Sequence, residues 1–246
     1  MSILSYMSGD SGQTPAFSGV CPAVVTNIND PDKLGRVKVK LLNLDLPDYE
    51  TDFIRVVTPM SGSGWGMLFF PNVGDEVLVG FCGGDISRAY VLGSLWNRNF
   101  RTPAEIKEDN SIRMIQTKAG HKLIFDDADG KECVTVRTKG ELLVKLDDGK
   151  NCITIQDKGG KDMVRIDSEN GTITVQAEKK VNISAGSTKI IMESGGSLSV
   201  SSDSSAKIKS SKVTVNGDNT EVKGGSSLKL SSGGQTSVKG AAVKIN

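Results

Sequence analysis

From residue 126 to residue 246 the chain has no proline, no histidine and no aromatic side chain, yet short alternating apolar pairs recur throughout. They read Val134/Val136, Val144/Leu146, Ile153/Ile155, Val164/Ile166, Ile173/Val175 and Val181/Ile183. They continue as Ile190/Met192, Leu198/Val200, Val213/Val215, Leu228/Leu230 and Val243/Ile245, with weaker versions at Ile208, Val222 and Val238. The step is roughly nine to eleven residues at first and settles to about seven or eight, the mark of one small unit stacked many times. A unit that short cannot bury its own apolar face, so the tail must stack on itself or on copies of itself.

Within each unit apolar and polar residues alternate for a few positions, the period of a strand with one buried face. The separators are turn-formers: Asp147-Asp148-Gly149, Lys158-Gly159-Gly160, Glu169-Asn170-Gly171, Ser194-Gly195-Gly196, Asn216-Gly217-Asp218, Gly224-Gly225 and Gly233-Gly234. Helix is excluded, because no apolar stripe of period 3.6 runs through the region and glycine recurs at close intervals. Two strand architectures fit. A meander of hairpins makes a flat sheet whose second face also needs a partner. A prism-like β-helix points each apolar pair inward. A single-chain parallel β-helix needs rungs of roughly twenty residues or more, and one strand of about eight supplies only one side of a rung. Three chains wound together complete it. Disorder does not hold an apolar register over such a length, so geometry favours a trimeric β-prism. Val or Ile triplets can meet at a threefold axis where three Trp cannot. About fourteen strand crossings at roughly 4.8 Å each, with three chains interleaved, give a rod on the order of 65 Å long, with little exposed edge.

All seven prolines, both tryptophans and all three tyrosines lie at or before Pro103, and the last phenylalanine is Phe125. That break sets a boundary near residues 100–115. The net charge is +1 and both halves are nearly neutral, so no basic patch points to nucleic acid or anionic membrane. Cys21, Cys82, Cys133 and Cys152 lack any CxxC spacing and read as reduced, small apolar residues. The N-terminus has neither the basic nor the apolar region of a secretory signal, and no apolar run reaches membrane-spanning length. The expectation is assembly in the cytoplasm without a signal peptide.

Residues 18–100 read as a compact β domain. Gly19–Asn27 and Gly35–Leu42 are strands around a turn at Ile28–Leu34, with Val37, Val39 and Leu41 on one face. Phe53–Thr58 is a third strand. Trp65–Pro71 and Glu76–Phe81 are expected to pair around a turn at Asn72–Asp75, and Ala89–Trp96 completes the set. Five or six strands with no helix fit a small Greek-key barrel of the OB type. Nucleic-acid binding by such a barrel would need exposed aromatics interleaved with Lys and Arg. Trp65, Phe69, Phe70 and Phe81 have few basic neighbours and read mainly as core and trimer interface.

The string from Gly19 through Val24-Val25-Thr26-Asn27-Ile28-Asn29-Asp30-Pro31-Asp32-Lys33-Leu34-Gly35-Arg36-Val37-Lys38-Val39 resembles the opening of the OB domain in contractile-tail spike proteins. So do Ile54–Pro59, Phe70-Pro71-Asn72-Val73-Gly74-Asp75-Glu76-Val77-Leu78-Val79, Gly84-Asp85 and Tyr90–Asn97. Thr117-Lys118-Ala119-Gly120-His121-Lys122 through Glu132 resembles the segment that opens the β-helix in the same family. The family is that of the phage baseplate assembly protein V, the phage cell-puncturing spike and the VgrG proteins of type VI secretion. The resemblance implies an all-β chain: an N-terminal OB-fold barrel followed by a C-terminal trimeric intertwined β-helix. It divides the chain into an arm (1–17), an OB collar (18–100), a linker (101–116) and a triple-stranded spike (117–246). VgrG proteins carry a hub region before the OB domain; this sequence starts almost at that domain, so the resemblance implies a separate trimeric hub protein. The linker leaves no room for the lysozyme domain of some phage spikes. The final residues lack the histidine-rich, iron-binding apex of short spikes, which implies a separate PAAR-type tip protein at Val243, Lys244, Ile245 and Asn246. Effector cargo is a further partner of such systems.

The search for chemistry finds none in the pattern. His121 has no sequence neighbours that make a triad or a zinc site, and a structural role at the start of the rod is expected. Asp126-Asp127-Ala128-Asp129-Gly130 lacks the distal glutamate of a calcium loop and reads as a hairpin turn. A polysaccharide-cleaving β-helix would need paired carboxylates and aromatic platforms, whereas the tail carries its carboxylates at turns. The expectation is a non-enzymatic, cofactor-free, metal-free homotrimer that binds no nucleic acid. It would act as the central spike of a phage tail, tailocin or type VI-like particle and pierce the target envelope on sheath contraction. The expected axis residues are Val134, Val136, Val144, Leu146, Ile153, Ile155, Ile173, Val175, Val181, Ile183, Leu198, Val200, Val213, Val215, Leu228 and Leu230. The alternatives are a wall- or capsule-degrading β-helix enzyme with an OB adaptor, and an OB-fold nucleic-acid binder.

Overall fold

A computed structural model of the chain describes residues 19–42 and 50–245. The expected arm at 1–17 and the tip residue Asn246 lie outside the described residues. The described part separates into two compact units. One runs to Gly160 and includes Val164–Thr174; the other comprises Lys161–Met163 and the residues from Val175 onward.

The first unit begins with a closed barrel. Its strands are β1 (Val20–Asn27), β2 (Arg36–Leu41), β3 (Ile54–Val56), β6 (Glu76–Phe81) and β7 (Ala89–Ser94), in the order β1-β2-β3-β7-β6. The expected OB-type barrel is thus present. Period-two alternation decides which residues enter it. Cys21, Ala23 and Val25 of β1, Val37, Val39 and Leu41 of β2, Val77 and Val79 of β6, and Ala89 and Val91 of β7 are buried. Register stacks them: Val25 opposes Val39, Ala23 opposes Val77, and Val79 opposes Val91. β3 runs parallel to β7 and closes the cylinder, which leaves no free sheet edge. A five-stranded interior is narrow, and Val, Ala and Cys fill most of it, with Leu41 and Ile54 beside them. Each fully buried Val contributes about 1.5–3 kcal/mol.

The β1–β2 turn is held by Asp30. Its carboxylate accepts from Arg36 Nε at 2.9 Å and Arg36 Nη2 at 2.7 Å, and from the backbone N–H of Asp32 and Leu34. The Arg36 guanidinium holds the Asp30 carboxyl well below the usual carboxylate range.

One expected strand is corrected. Trp65–Pro71 does not pair with Glu76–Phe81. β5 (Trp65–Gly66) instead folds back on β4 (Ser61–Gly62), and no strand is assigned over 67–73. The indole of Trp65 occupies the space over Gly62, where a Cβ would come within 2.2 Å of the ring. Both ladder positions beside β6 are already taken by β1 and β7. The turn at Asn72–Asp75 does form: the Asp75 N–H donates to the Asn72 carbonyl, and the Asp75 carboxylate accepts from the Asn72 N–H.

Beyond the barrel comes an antiparallel meander: β8 (Ile112–Gln116), β9 (Lys122–Asp126), β10 (Cys133–Arg137), β11 (Leu143–Asp147), β12 (Cys152–Gln156), β13 (Met163–Asp167) and β14 (Thr172–Gln176), in sequence order. It starts inside the expected 101–116 linker. In the second unit, β15 (Lys180–Ala185), β16 (Thr188–Glu193) and β17 (Leu198–Ser201) form a three-stranded antiparallel sheet. Residues 202–245 carry no assigned strand. Of the two arrangements that fit the repeat, a single chain adopts the hairpin meander at the level of its own hydrogen bonds.

Candidate assembly surfaces

One face of the meander carries two continuous apolar rows, and register builds them. Ile115, Leu123, Val136, Val144 and Ile155 form one row across β8 to β12. Phe125, Val134, Leu146 and Ile153 form a second row beside it. Successive members sit directly opposite one another, the closest side-chain arrangement an antiparallel sheet offers. Among the described residues these rows stay partly open: Leu123, Val134 and Val144 are half-buried, while Val136 is 46% exposed and Ile155 50%. Ile173 and Val175 on β14 are more open still, at 73% and 55%.

The second unit repeats the design. Ile183 opposes Ile190, which opposes Val200; Val181 opposes Met192, which opposes Leu198. The sequence pairs from Val134 to Val200 therefore lie on strands, and those on β10–β12 and β15–β17 are aligned into rows. The structure does not bring Val213, Val215, Leu228 and Leu230 into such rows; they are exposed and outside any strand. Val243, Lys244 and Ile245 are likewise exposed, with Ile245 at 92%.

The opposite face of the meander is mixed: Ile112, Met114, Ile124 and Leu143, all half-buried, share it with Lys145 and Asp147. Thr135, Asp147 and Cys152 are buried there. Lys145 Nζ lies 2.6 Å from an Asp147 carboxylate oxygen and lowers the Asp147 pKa, while the lysine's own is raised. The second Asp147 oxygen accepts from the Lys150 N–H and fixes the β11–β12 turn.

His121 is exposed, and its Nδ1 accepts from the Lys139 N–H at 3.3 Å, tying two neighbouring turns together. In the Asp126–Gly130 turn, Asp126 accepts from the Ala128 N–H and the Ala128 carbonyl from Lys131, as a hairpin turn requires. Among the described residues, no three His, Cys, Asp or Glu side chains gather as a metal site. All four cysteines are free thiols. No helix among the described residues is long and apolar enough to cross a membrane.

The barrel carries a second apolar surface. Met60, Trp65, Met67, Leu68 and Phe69 are exposed along the β4–β5 hairpin and the segment after it. The hairpin is held by the Met67 N–H on the Met60 carbonyl and by the Thr58 hydroxyl on the Met67 carbonyl. The aromatic cluster therefore splits: Phe70 and Phe81 rest against the barrel core, while Trp65 and Phe69 face outward. Sequence reading missed Met60, Met67 and Leu68, which lack alternation. It also missed Ile115, Leu123 and Phe125, because the run Leu123-Ile124-Phe125 hides its period.

Residues 21–96 match the family described as the type VI secretion system/phage-baseplate injector OB domain. The chain is 31% identical over 117 residues to the type VI secretion system spike protein VgrG5 of Pseudomonas aeruginosa, covering 44% of this chain and 15% of that protein. It is 29% identical over 103 residues to VgrG1a of the same organism, covering 39% of this chain and 16% of that protein. Against VgrG1c it is 33% identical over 79 residues, covering 30% of this chain and 11% of that protein. The chain thus spans about a sixth or less of the length of these relatives.

Proposed function

We propose that this member of the VgrG-like baseplate spike family, which carries the injector OB domain, works as a non-enzymatic central spike. Three copies would place their OB domains side by side as a collar and close their meanders into a prism. The observation that carries this reading is the pair of apolar rows on β8–β12: the side chains are aligned in register and, among the described residues, stay partly open to solvent. Leaving such a face in water forfeits about 25 cal/mol for every Å² that a partner could cover. The repeated rows on β15–β17 support the same arrangement further along the chain. The division into arm (1–17), collar (18–100), linker (101–116) and spike (117–246) belongs to this reading, as do the axis positions from Val134 to Leu230.

In this reading the exposed strip around Trp65 and Phe69 serves the collar, between copies or against a separate hub. The segment Val243–Asn246 receives a tip protein of the PAAR type, and effector cargo travels with the assembly. The work is mechanical. Sheath contraction drives the particle forward, and laterally hydrogen-bonded strands around an apolar axis resist buckling and strand separation. The protein would be built inside the producing cell and act as part of an injection particle.

The test is the mass of the full chain in dilute solution. One chain is 26.1 kDa; sedimentation equilibrium and native mass spectrometry should both return three chains. A stable, fully ordered monomer at micromolar concentration would remove the reading.

A further inference from the structure

The two lateral edges of the first meander differ in charge. At one edge β9, β11 and β13 end and β10, β12 and β14 begin, and there lie Asp126, Asp127, Asp129, Glu132, Asp147, Asp148, Asp167 and Glu169, set against Lys131, Lys150 and Arg113, which pairs with Asp127. At the other edge lie Lys118, Lys122, Arg137, Lys139, Lys158 and Lys161, set against Glu141, Asp157 and Asp162. Glu141 is engaged by Lys158 at 3.5 Å, and Asp147 by Lys145. Among the described residues, none of Lys118, Lys122, Arg137, Lys139, Asp129, Glu132 and Asp148 forms an intrachain ion pair.

Two features make these edges more than solvated charge. Lys122 and Arg137 are direct cross-strand partners. Like charges directly opposite in a ladder destabilise it unless a counter-charge sits nearby. Both edges are also ordered by backbone contacts. On the acidic edge the Asp148 N–H donates to the Glu132 carbonyl at 3.0 Å. On that edge a Cβ at Gly149 would lie 2.6 Å from the Gly130 carbonyl oxygen, so the turns are stacked tightly. On the basic edge the His121 ring holds the Lys139 backbone.

A closed ring of three identical chains needs a heterologous contact, in which one edge of a chain meets the other edge of the next. We propose that the acidic edge of each meander docks along the basic edge of a second copy, so that an ion-pair seam at each prism corner sets the register and direction of the three chains. The inference rests on the trimeric reading and adds what the apolar rows lack. Val and Ile side chains are interchangeable along a stripe and permit a slip by one hairpin. Charges at particular turns do not. Arrangements that set like edges together are repelled, which gives the seam its selectivity.

The experiment uses the full chain. One variant reverses the basic edge (Lys118→Glu, Arg137→Glu, Lys139→Glu); another reverses the acidic edge (Asp129→Lys, Glu132→Lys, Asp148→Lys); a third combines all six changes. Single exposed pairs are weak, but several in each of three seams should weaken trimer association roughly tenfold or more in either three-residue variant at low salt, with the six-residue variant restored toward wild type. The effect should shrink at high salt. Wild-type protein supplies a readout independent of variant folding. After carbodiimide treatment of mixed light and heavy-isotope chains, Lys118 or Lys139 should be joined to Asp129, Glu132 or Asp148 of the other isotope. A monomeric wild type overturns the trimer itself. A trimer that lacks these interchain links, or in which six reversals restore nothing, overturns the seam alone.

Discussion

Asp30 shows how one side chain can hold a whole turn. Its two oxygens take the Arg36 guanidinium and backbone N–H groups of the β1–β2 loop, which lets Lys33 and Gly35 adopt positive φ values of 55° and 70°. Because the folded-state pKa is depressed, the contribution of this carboxylate is fully present above the ordinary Asp value of about 3.9 and is lost as pH falls toward the folded value. Asp30→Asn should therefore lower the melting temperature of the barrel at pH 7, and the gap to wild type should narrow in melts at pH 3 and below. An equal gap at both pH values would mean that the charge is not what holds the turn. A bidentate carboxylate–arginine pair six residues apart around Pro31 was not predicted from the sequence; only the turn itself was.

At the level of elements, the meander is where sequence and structure agree most closely. Alternation at Val134/Val136, Val144/Leu146 and Ile153/Ile155 became strands β10, β11 and β12 with the pairs in register, because period-two apolar spacing and glycine-bearing turns are both local signals. The reading failed where local signals conflict. Leu123-Ile124-Phe125 is apolar on both faces and conceals its row, and Trp65–Pro71 carries strand-like residues that the barrel has no free edge to accept. Two predictions belong here. Ile155 is half-exposed in one chain, so Ile155→Asp should leave the far-ultraviolet spectrum of the monomer intact. If the residue turns to a shared axis, the unpaired charge should weaken the trimer by about 3 kcal/mol or more, read as loss of the trimer mass in native spectrometry. Gly149 faces the Gly130 carbonyl at a distance no Cβ tolerates. Gly149→Ala should therefore push the adjacent turns apart and lower the melting temperature, while Gly171→Ala, whose Cβ would meet no atom within 4 Å, should act only through its positive φ of 62°.

For the molecule as a whole, the barrel and the repeat make different demands. The barrel closes on its own core, so a fragment of residues 19–100 should fold as a monomer with a cooperative melt. The repeat leaves its apolar rows open, so a fragment of residues 112–246 should aggregate or associate, as size-exclusion chromatography would show; a well-behaved monomer there would contradict an uncovered face. What the sequence determined by itself is the all-β character, the strand period, the OB-type barrel and a net charge close to zero. Alternation, turn residues and charge are carried by neighbours along the chain. Only the tertiary structure decided that Trp65 folds back over Gly62, that the apolar rows begin at Ile115, and that the acidic and basic turns fall on opposite edges of one sheet. Those outcomes depend on which ladder positions are already filled and on the parity of successive hairpins. Contacts between residues far apart in sequence determine both, and no local pattern records them.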